Sequence, residues 1–179
     1  MGGRLHNQLS VPGPKFIIPE VIEPDEKLPR DLVALRKFAY IMDLALPIPG
    51  TRERIGLDGG LGFFPGIGDA IAALLSSWII IGALRHRVPL FQVIRMLMNV
   101  LIDLAIGEVP ILGGIFHVIF KENVTNLRLL MRYRDRSRPP RSFAGIGFAA
   151  VIVVAIIFAA AVAGIIVLIL ALVWIANQR

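Results

Sequence analysis

Apolar positions are most concentrated late in the chain. From Phe143 to Ala176 no charged side chain interrupts 34 consecutive residues, well beyond the roughly 20 that cross a bilayer. This stretch predicts a transmembrane helix, with the span over about Ala149–Ile175 and an apolar lead-in before it. Splitting it into two spans would need a turn near Ala159–Ala163, where nothing polar stands. Far upstream, Leu32, Leu35, Phe38, Ala39, Met42 and Leu46 recur at helical spacing, while Arg36, Lys37 and Asp43 fall mainly on other faces. The expectation is an amphipathic helix within residues 28–47. Asp31 caps its start and Pro47 and Pro49 end it. Such a helix lies on the membrane surface or packs on the body. Residues 1–27 hold Pro12, Pro14, Pro19 and Pro24 and read as a disordered arm with a short apolar segment, Phe16–Ile22.

Between these segments the pattern repeats. Asp58, Gly62, Pro65 and Gly68 spell Asp-x3-Gly-x2-Pro-x2-Gly, and Asp103, Gly107, Pro110 and Gly113 spell it again 45 residues later. A fixed period suggests two copies of one supersecondary unit. In the first copy, Ala70–Leu84 gives 15 uncharged residues in helical context. Asp69 stands at its start, where a carboxylate meets orphan N–H groups and the positive end of the dipole. In the second, Leu90–Ile106 and Ile115 to about Arg132 read as helices flanking the turn. Each unit is therefore expected to be a helical hairpin, over about 51–87 and 90–132. Gly62, Pro65, Gly66, Gly68, Gly107, Pro110 and Gly113 would form the turns. The predicted fold is all-α and membrane-embedded: a surface helix, two helical hairpins repeating with period 45, and one C-terminal transmembrane helix.

Composition supports the membrane and narrows the chemistry. Hydrophobic residues make up 56% of the chain and the formal net charge is +6. Much of that charge sits in Arg128, Arg132, Arg134, Arg136, Arg138 and Arg141. A 133–142 linker of this kind, beside a span, points to anionic lipid head groups and topology setting. Contact is expected through Arg132, Arg134, Arg136, Arg138 and Arg141. With Tyr133 the only aromatic among them, the cluster makes a poor platform for nucleic acid. By the positive-inside rule the arginines stay in the cytoplasm and the C-terminus lies outside, which implies the inner (cytoplasmic) membrane with a cytoplasmic N-terminus. Arg52 and Arg54 precede the first unit, and Arg85 and Arg87 follow it, so both units could enter from that same side. There is no cysteine, and His6, His86 and His117 are widely spaced, so no metal, cofactor or catalytic residue is expected.

The segment from Ile48 to about Arg132 resembles a mainly bacterial family, domain of unknown function 4112. The likeness rests on Ile48-Pro49-Gly50-Thr51, Arg54-Ile55-Gly56-Leu57-Asp58, Leu61-Gly62 and Pro65-Gly66-Ile67-Gly68-Asp69. It continues through Arg95-Met96, Asn99-Val100, Ile102-Asp103, Gly107, Pro110 and Gly113, then Lys121-x-Asn123-x2-Asn126. The resemblance implies a small membrane-associated helical protein and brings no known activity. The family tends to place acids after the second turn, where Gly114 and His117 stand here, and an arginine where Thr125 stands.

Arg95, Asn99 and Asp103 follow one another at four-residue steps and share one helix face. A charge inside a bilayer costs about 2.5–3.5 kcal/mol on insertion scales, so it pairs or lines a cavity. Arg95 would pair with Asp58, Asp69 or Asp103. These five residues form either a polar path between the hairpins or a network that fixes their packing. Gly66-x-Gly68-Asp69 also resembles the short signature of intramembrane aspartyl proteases, but the Tyr-Asp and Pro-Ala-Leu companions are absent, and a cap after a glycine turn explains the same residues. The sequence thus points to a non-enzymatic scaffold or accessory subunit acting through helix packing, as a homo-oligomer or in a larger membrane complex. The alternative is a small solute or ion conduit, and the remote one is a protease.

Overall fold

The computed structural model describes residues 28–178, apart from 52, 63, 65, 108–115, 117 and 118. The proline-rich arm, Pro65, Pro110 and Gly113 therefore lie outside the described residues. Six helices account for most of what is described: α1 (Arg30–Leu44), α2 (Leu57–Leu61), α3 (Ile67–Arg85), α4 (Leu90–Gly107), α5 (Glu122–Tyr133) and α6 (Phe143–Ala176). A two-stranded ribbon, β1 (Leu46–Pro47) against β2 (Arg54–Ile55), is antiparallel with Leu46 opposite Ile55.

α3 is the central helix. Its sequence is apolar nearly all round, which suits a helix covered on several sides, and it packs against α1, α2, α4, α5 and α6. Residue pairs fix the directions. Gly82 faces Leu35 of α1 and Leu130 of α5, and a Cβ built on it would stand 2.4 Å from Leu35 Cδ1. Ser76 of α3 bonds Asn123 of α5, so these two helices run parallel. Asn99 of α4 bonds Asn126 of α5, and Arg141 just before α6 bonds the end of α3. Thus α1, α4 and α6 run away from the end that holds Arg85, and α3 and α5 run towards it. The core they enclose includes Leu32, Ile79, Ile80, Met96, Leu127 and Leu130, each essentially without solvent exposure.

The N-terminal amphipathic helix is present as α1. It packs on the body, burying Leu32, Leu35, Ala39 and Met42. The two segments that carry the Asp-x3-Gly-x2-Pro-x2-Gly pattern differ in the helix that leads into it. Before the second turn stands the 18-residue α4, but before the first only the five-residue α2. Glycine explains the short arm. Gly56, Gly59, Gly60 and Gly62 remove side chains that would support a longer helix. Gly56 also lets the chain pass so close to α1 that an added Cβ would lie 1.8 Å from the Met42 carbonyl oxygen. Phe116 and Ile119 are helical, and Lys121 leaves helical geometry (φ −91°, ψ 79°) before α5 starts.

α3, α4 and α6 are long and apolar enough to cross a membrane. α3 has 19 residues and α4 has 18, so at 1.5 Å per residue they reach about 27–28 Å, close to the roughly 30 Å hydrocarbon core. α6 is one unbroken helix of 34 residues. The apolar lead-in is part of it, capped by Ser142, whose Oγ accepts from the Gly145 N–H at 3.1 Å. Ile146, Val153, Ile157 and Ala161 make its buried stripe. Further along, Ile165 and Leu168 approach Gly66.

Candidate functional site

Where the helices meet, they enclose a polar network that an apolar bundle would not need for packing alone. Its centre is α5. Asn123 Nδ2 donates to Asp43 Oδ1 at 2.9 Å, and the Val124 N–H donates to Asp43 Oδ2 at 2.8 Å. Ser76 Oγ donates to Asn123 Oδ1 at 2.8 Å. These contacts link α1, α3 and α5. A second branch ties α5 to α4: Asn99 Nδ2 donates to Asn126 Oδ1 at 2.7 Å, while Asn126 Nδ2 donates to the Met96 carbonyl at 3.1 Å and to Glu122 Oε1. Asp43, Glu122, Asn123 and Asn126 are all buried. Buried amides and carboxylates are retained only where partners replace the lost water, and here each branch supplies them from a neighbouring helix.

Two more buried acids join. Asp58 of α2 and Asp103 of α4 stand close enough to Asp43 and Glu122 to act on both. They occupy equivalent places in the two Asp-x3-Gly-x2-Pro-x2-Gly patterns of the sequence. Four carboxylates therefore come from α1, α2, α4 and α5. Burial pushes Asp43 up to about 7, against the bonds from Val124 and Asn123, with Asp58 and Asp103 adding to the rise. Burial likewise raises Glu122 well above the ordinary glutamate range, and Asp43 and Asp103 reinforce it. Lys121 stands beside them. Burial lowers its amine, while Asp43, Glu53 and Asp58 hold its charge in place. Its Nζ donates to the Arg54 carbonyl. Arg54 in turn closes the end of α1, through Nε to the Leu44 carbonyl at 2.7 Å and through its guanidinium to Tyr40 Oη at 2.9 Å.

Of the residues singled out in the sequence, Asp58, Asp103 and Asn99 reach this network. Arg95 does not: it is exposed on α4, one residue before the fully buried Met96. Asp69 is buried but serves the start of α3, accepting the Gly66 N–H at 3.2 Å. It is the third residue of that helix rather than its cap, and Gly66 holds the turn at φ +82°. Asp43 is the residue whose placement changes most. It lies on the buried side of α1, four residues after Ala39 and eight after Leu35, a spacing that was visible in the sequence. Glu122 and Ser76 carried no such signal, and Asn123 and Asn126 entered only through the family pattern. Arg54 and Arg85 do not share one end. Asp31, at the start of α1, pairs with His86 at 2.8 Å and Arg85 at 3.6 Å, whereas Arg54 binds the other end of that helix. Fifteen residues of α1, about 21 Å, separate them. Among the described residues, no group of three or more histidines and acids could hold a metal ion.

An all-α bundle with three helices of membrane-crossing length, wrapped round a buried acid and amide network, defines a class of helical membrane protein. Within that class the chain belongs to the family described as Domain of unknown function (DUF4112), whose model matches residues 31–133. The match takes in α1 and the whole network and stops before α6. No curated protein and no solved structure matches the chain.

Proposed function

We propose that this is an integral membrane protein of the cytoplasmic membrane that works by helix packing, as a scaffold or accessory subunit rather than an enzyme. The observation that carries this reading is the distribution of polarity. The amides and acids face inward and bind one another, while the outward faces of the long helices are apolar: Ile71, Leu75 and Trp78 on α3, Phe91, Ile94, Met98 and Ile102 on α4, and most of α6 beyond Ala161. Such surfaces suit lipid and partner helices. The network then acts as an internal clasp, since a polar bond between helices is retained where hydrocarbon offers no alternative partner.

A second reading, a proton or cation conduit, is favoured by one feature: Asp58 and Asp103 lie within electrostatic reach of Asp43 and Glu122, with Lys121 near Asp43 and Asp58, and burial pushes Asp43 up to about 7. Reconstitution separates the two. Liposomes containing the protein and an internal pH dye should acidify no faster than protein-free liposomes, and cross-linking in native membranes should recover a homo-oligomer or a complex. A flux that Asp103→Asn abolishes, in a protein that still folds, would replace the scaffold with the conduit.

A further inference from the structure

Charge is sparse on the three long apolar helices, and one case stands apart. α3 carries Asp69 and Arg85, α4 carries Arg95 and Asp103, and α6 carries none. Asp69 and Asp103 are buried. Arg85 closes α3, where it meets Asp31 at 3.6 Å and lies over the Phe143 ring, its Cζ 4.5 Å from the centroid. Arg95 is exposed, and among the described residues no hydrogen-bond, ion-pair or ring partner meets it.

Its surroundings are apolar. Phe91 and Met98 lie one helical turn either side of Arg95, Ile102 lies two turns beyond, and Ile94 stands beside it. All four are exposed. Arg95 is the sixth residue of α4, about 8 Å from the helix start. α4 is long and apolar enough to cross a membrane. In the membrane-spanning arrangement this guanidinium lies just inside the hydrocarbon edge, a place where a charge is retained against a partner. Helical side chains lean towards the N-terminus, which keeps it near the end that holds Arg85.

A second copy of the chain does not complement it. A two-fold contact of α4 with α4 brings Arg95 against Arg95, and the acids of α3 and α4 in that copy, Asp69 and Asp103, are buried as well. A lipid phosphate answers the charge but gives the strip beside it no shaped counterpart. Phenylalanine, methionine and arginine are residue types enriched in protein interfaces, and a charge pair beside apolar packing fixes which helix docks and in what register. We propose that the exposed strip of α4 around Arg95 docks a membrane-spanning helix of another protein, through a carboxylate within about two turns of the membrane face that holds Arg85. This names the partner of the accessory subunit proposed above and rests on that reading.

The test places the full chain, dye-labelled through Gln178→Cys, in phosphatidylcholine liposomes with acceptor-labelled synthetic helices of about 22 leucine and alanine residues. One helix carries a glutamate two turns from one end, a second carries glutamine at that place, and a third carries the glutamate at its centre. Energy transfer should show the first associating about tenfold more strongly than the second, and the third matching the second. Arg95→Gln should erase the preference, and Arg95→Glu should transfer it to a helix with arginine in place of the glutamate. Arg36→Gln on α1 should leave it intact, and equal loss in Arg36→Gln and Arg95→Gln would overturn the site in favour of diffuse charge. Equal association of the glutamate and glutamine helices with the wild-type chain would overturn the carboxylate partner and leave Arg95 to lipid phosphate. A preference that emerges only in Glu20→Gln/Glu23→Gln/Asp25→Asn/Glu26→Gln would also overturn it, giving Arg95 to the chain's own acids. Should Arg95→Gln fail to insert, the wild-type chain decides alone, and an equal response to the central glutamate rules the site out. Release of the wild-type chain from membranes by alkaline carbonate sinks the spanning reading itself, whereas firm insertion without preference for the glutamate helix sinks only this partner.

Discussion

At the scale of single residues, the most demanding positions are those where the backbone passes close to another segment. Gly56 is the clearest. Its Cβ would lie 1.8 Å from the Met42 carbonyl oxygen and 2.4 Å from the Asp43 nitrogen, both backbone atoms, whereas at Gly60 nothing lies within 4 Å. Gly56→Ala should therefore cost roughly 3 kcal/mol or more, by displacing α2 from α1 next to Asp43. Gly60→Ala should fall within about 1 kcal/mol of wild type and gain some helix propensity. Thermal unfolding of the two variants in detergent checks the contrast, and equal effects would refute the close approach. Asp43 carries a second prediction. Its folded pKa, about 7, lies above the ordinary aspartate value of 3.8, so the folded state binds a proton that the unfolded state has released. Between those values stability must fall as pH rises. The protein should be more stable at pH 5 than at pH 7.5, by on the order of 1–4 kcal/mol, and Asp43→Asn should flatten that slope, which pH-dependent melting measures. Residues such as Asp43 show what the sequence conceals. Its spacing from Ala39 and Leu35 was legible, but a charged side chain is normally assigned to the solvent face, and only Asn123 and Val124 N–H, 80 and 81 residues away, make its burial tolerable. Arg95 failed for the converse reason. Helical spacing placed it in line with Asn99 and Asp103, yet one face is wide enough that α5 covers Asn99 and leaves Arg95 outside.

At the scale of elements, the long periodic segments were legible and the glycine-rich one was not. α1, α3, α4 and α6 follow from apolar spacing or from unbroken apolar runs, because a single physical requirement acts along the whole length of each. Residues 46–62 instead form a two-residue ribbon and a five-residue helix, held by contacts across the fold: Arg54 on the carbonyl of Leu44, Lys121 on the carbonyl of Arg54, Gly56 on α1. No local period encodes these. The element that most repays testing is α6, whose contact with α3 is made by one stripe. Ile157 has no exposed surface, while Ile169 is 53% exposed. Ile157→Ala should destabilise the bundle by roughly 2–5 kcal/mol through the cavity it leaves, and Ile169→Ala should change stability by less than about 1 kcal/mol. Reversible unfolding in mixed detergent reads both. If Ile169→Ala is the more damaging, α6 packs through its other face.

At the scale of the whole molecule, length and direction together predict the topology. α6 covers about 51 Å over its 34 residues, more than a roughly 30 Å hydrocarbon core needs. It runs antiparallel to α3: Arg141 bonds Arg85 at one end, while Ile165 and Leu168 meet Gly66 at the other. The loop at Phe64 and the arginines at 134–141 are therefore separated by about 24 residues of α6, some 36 Å, enough to stand on opposite faces of the bilayer. The alternative leaves the α1–α5 body in the cytoplasm and sends only the distal part of α6 across. Those arrangements differ in where Phe64 lies, and Phe64 is exposed. The absence of native cysteine makes the difference measurable. Single variants Phe64→Cys, Ser137→Cys and Gln178→Cys would be treated in intact cells with a membrane-impermeant thiol reagent. With the arginine-rich end held in the cytoplasm, Ser137→Cys should react only after the cells are opened and Gln178→Cys should react at once. Phe64→Cys should behave like Gln178→Cys, because α3 and α4 reach about 27–28 Å and can carry their far ends across with α6. Labelling of Phe64→Cys only in opened cells would place the acid network in a cytoplasmic body. The buried carboxylates would then be part of a water-facing domain's core, and the apolar faces of α3 and α4 would have to be covered by another protein rather than by lipid.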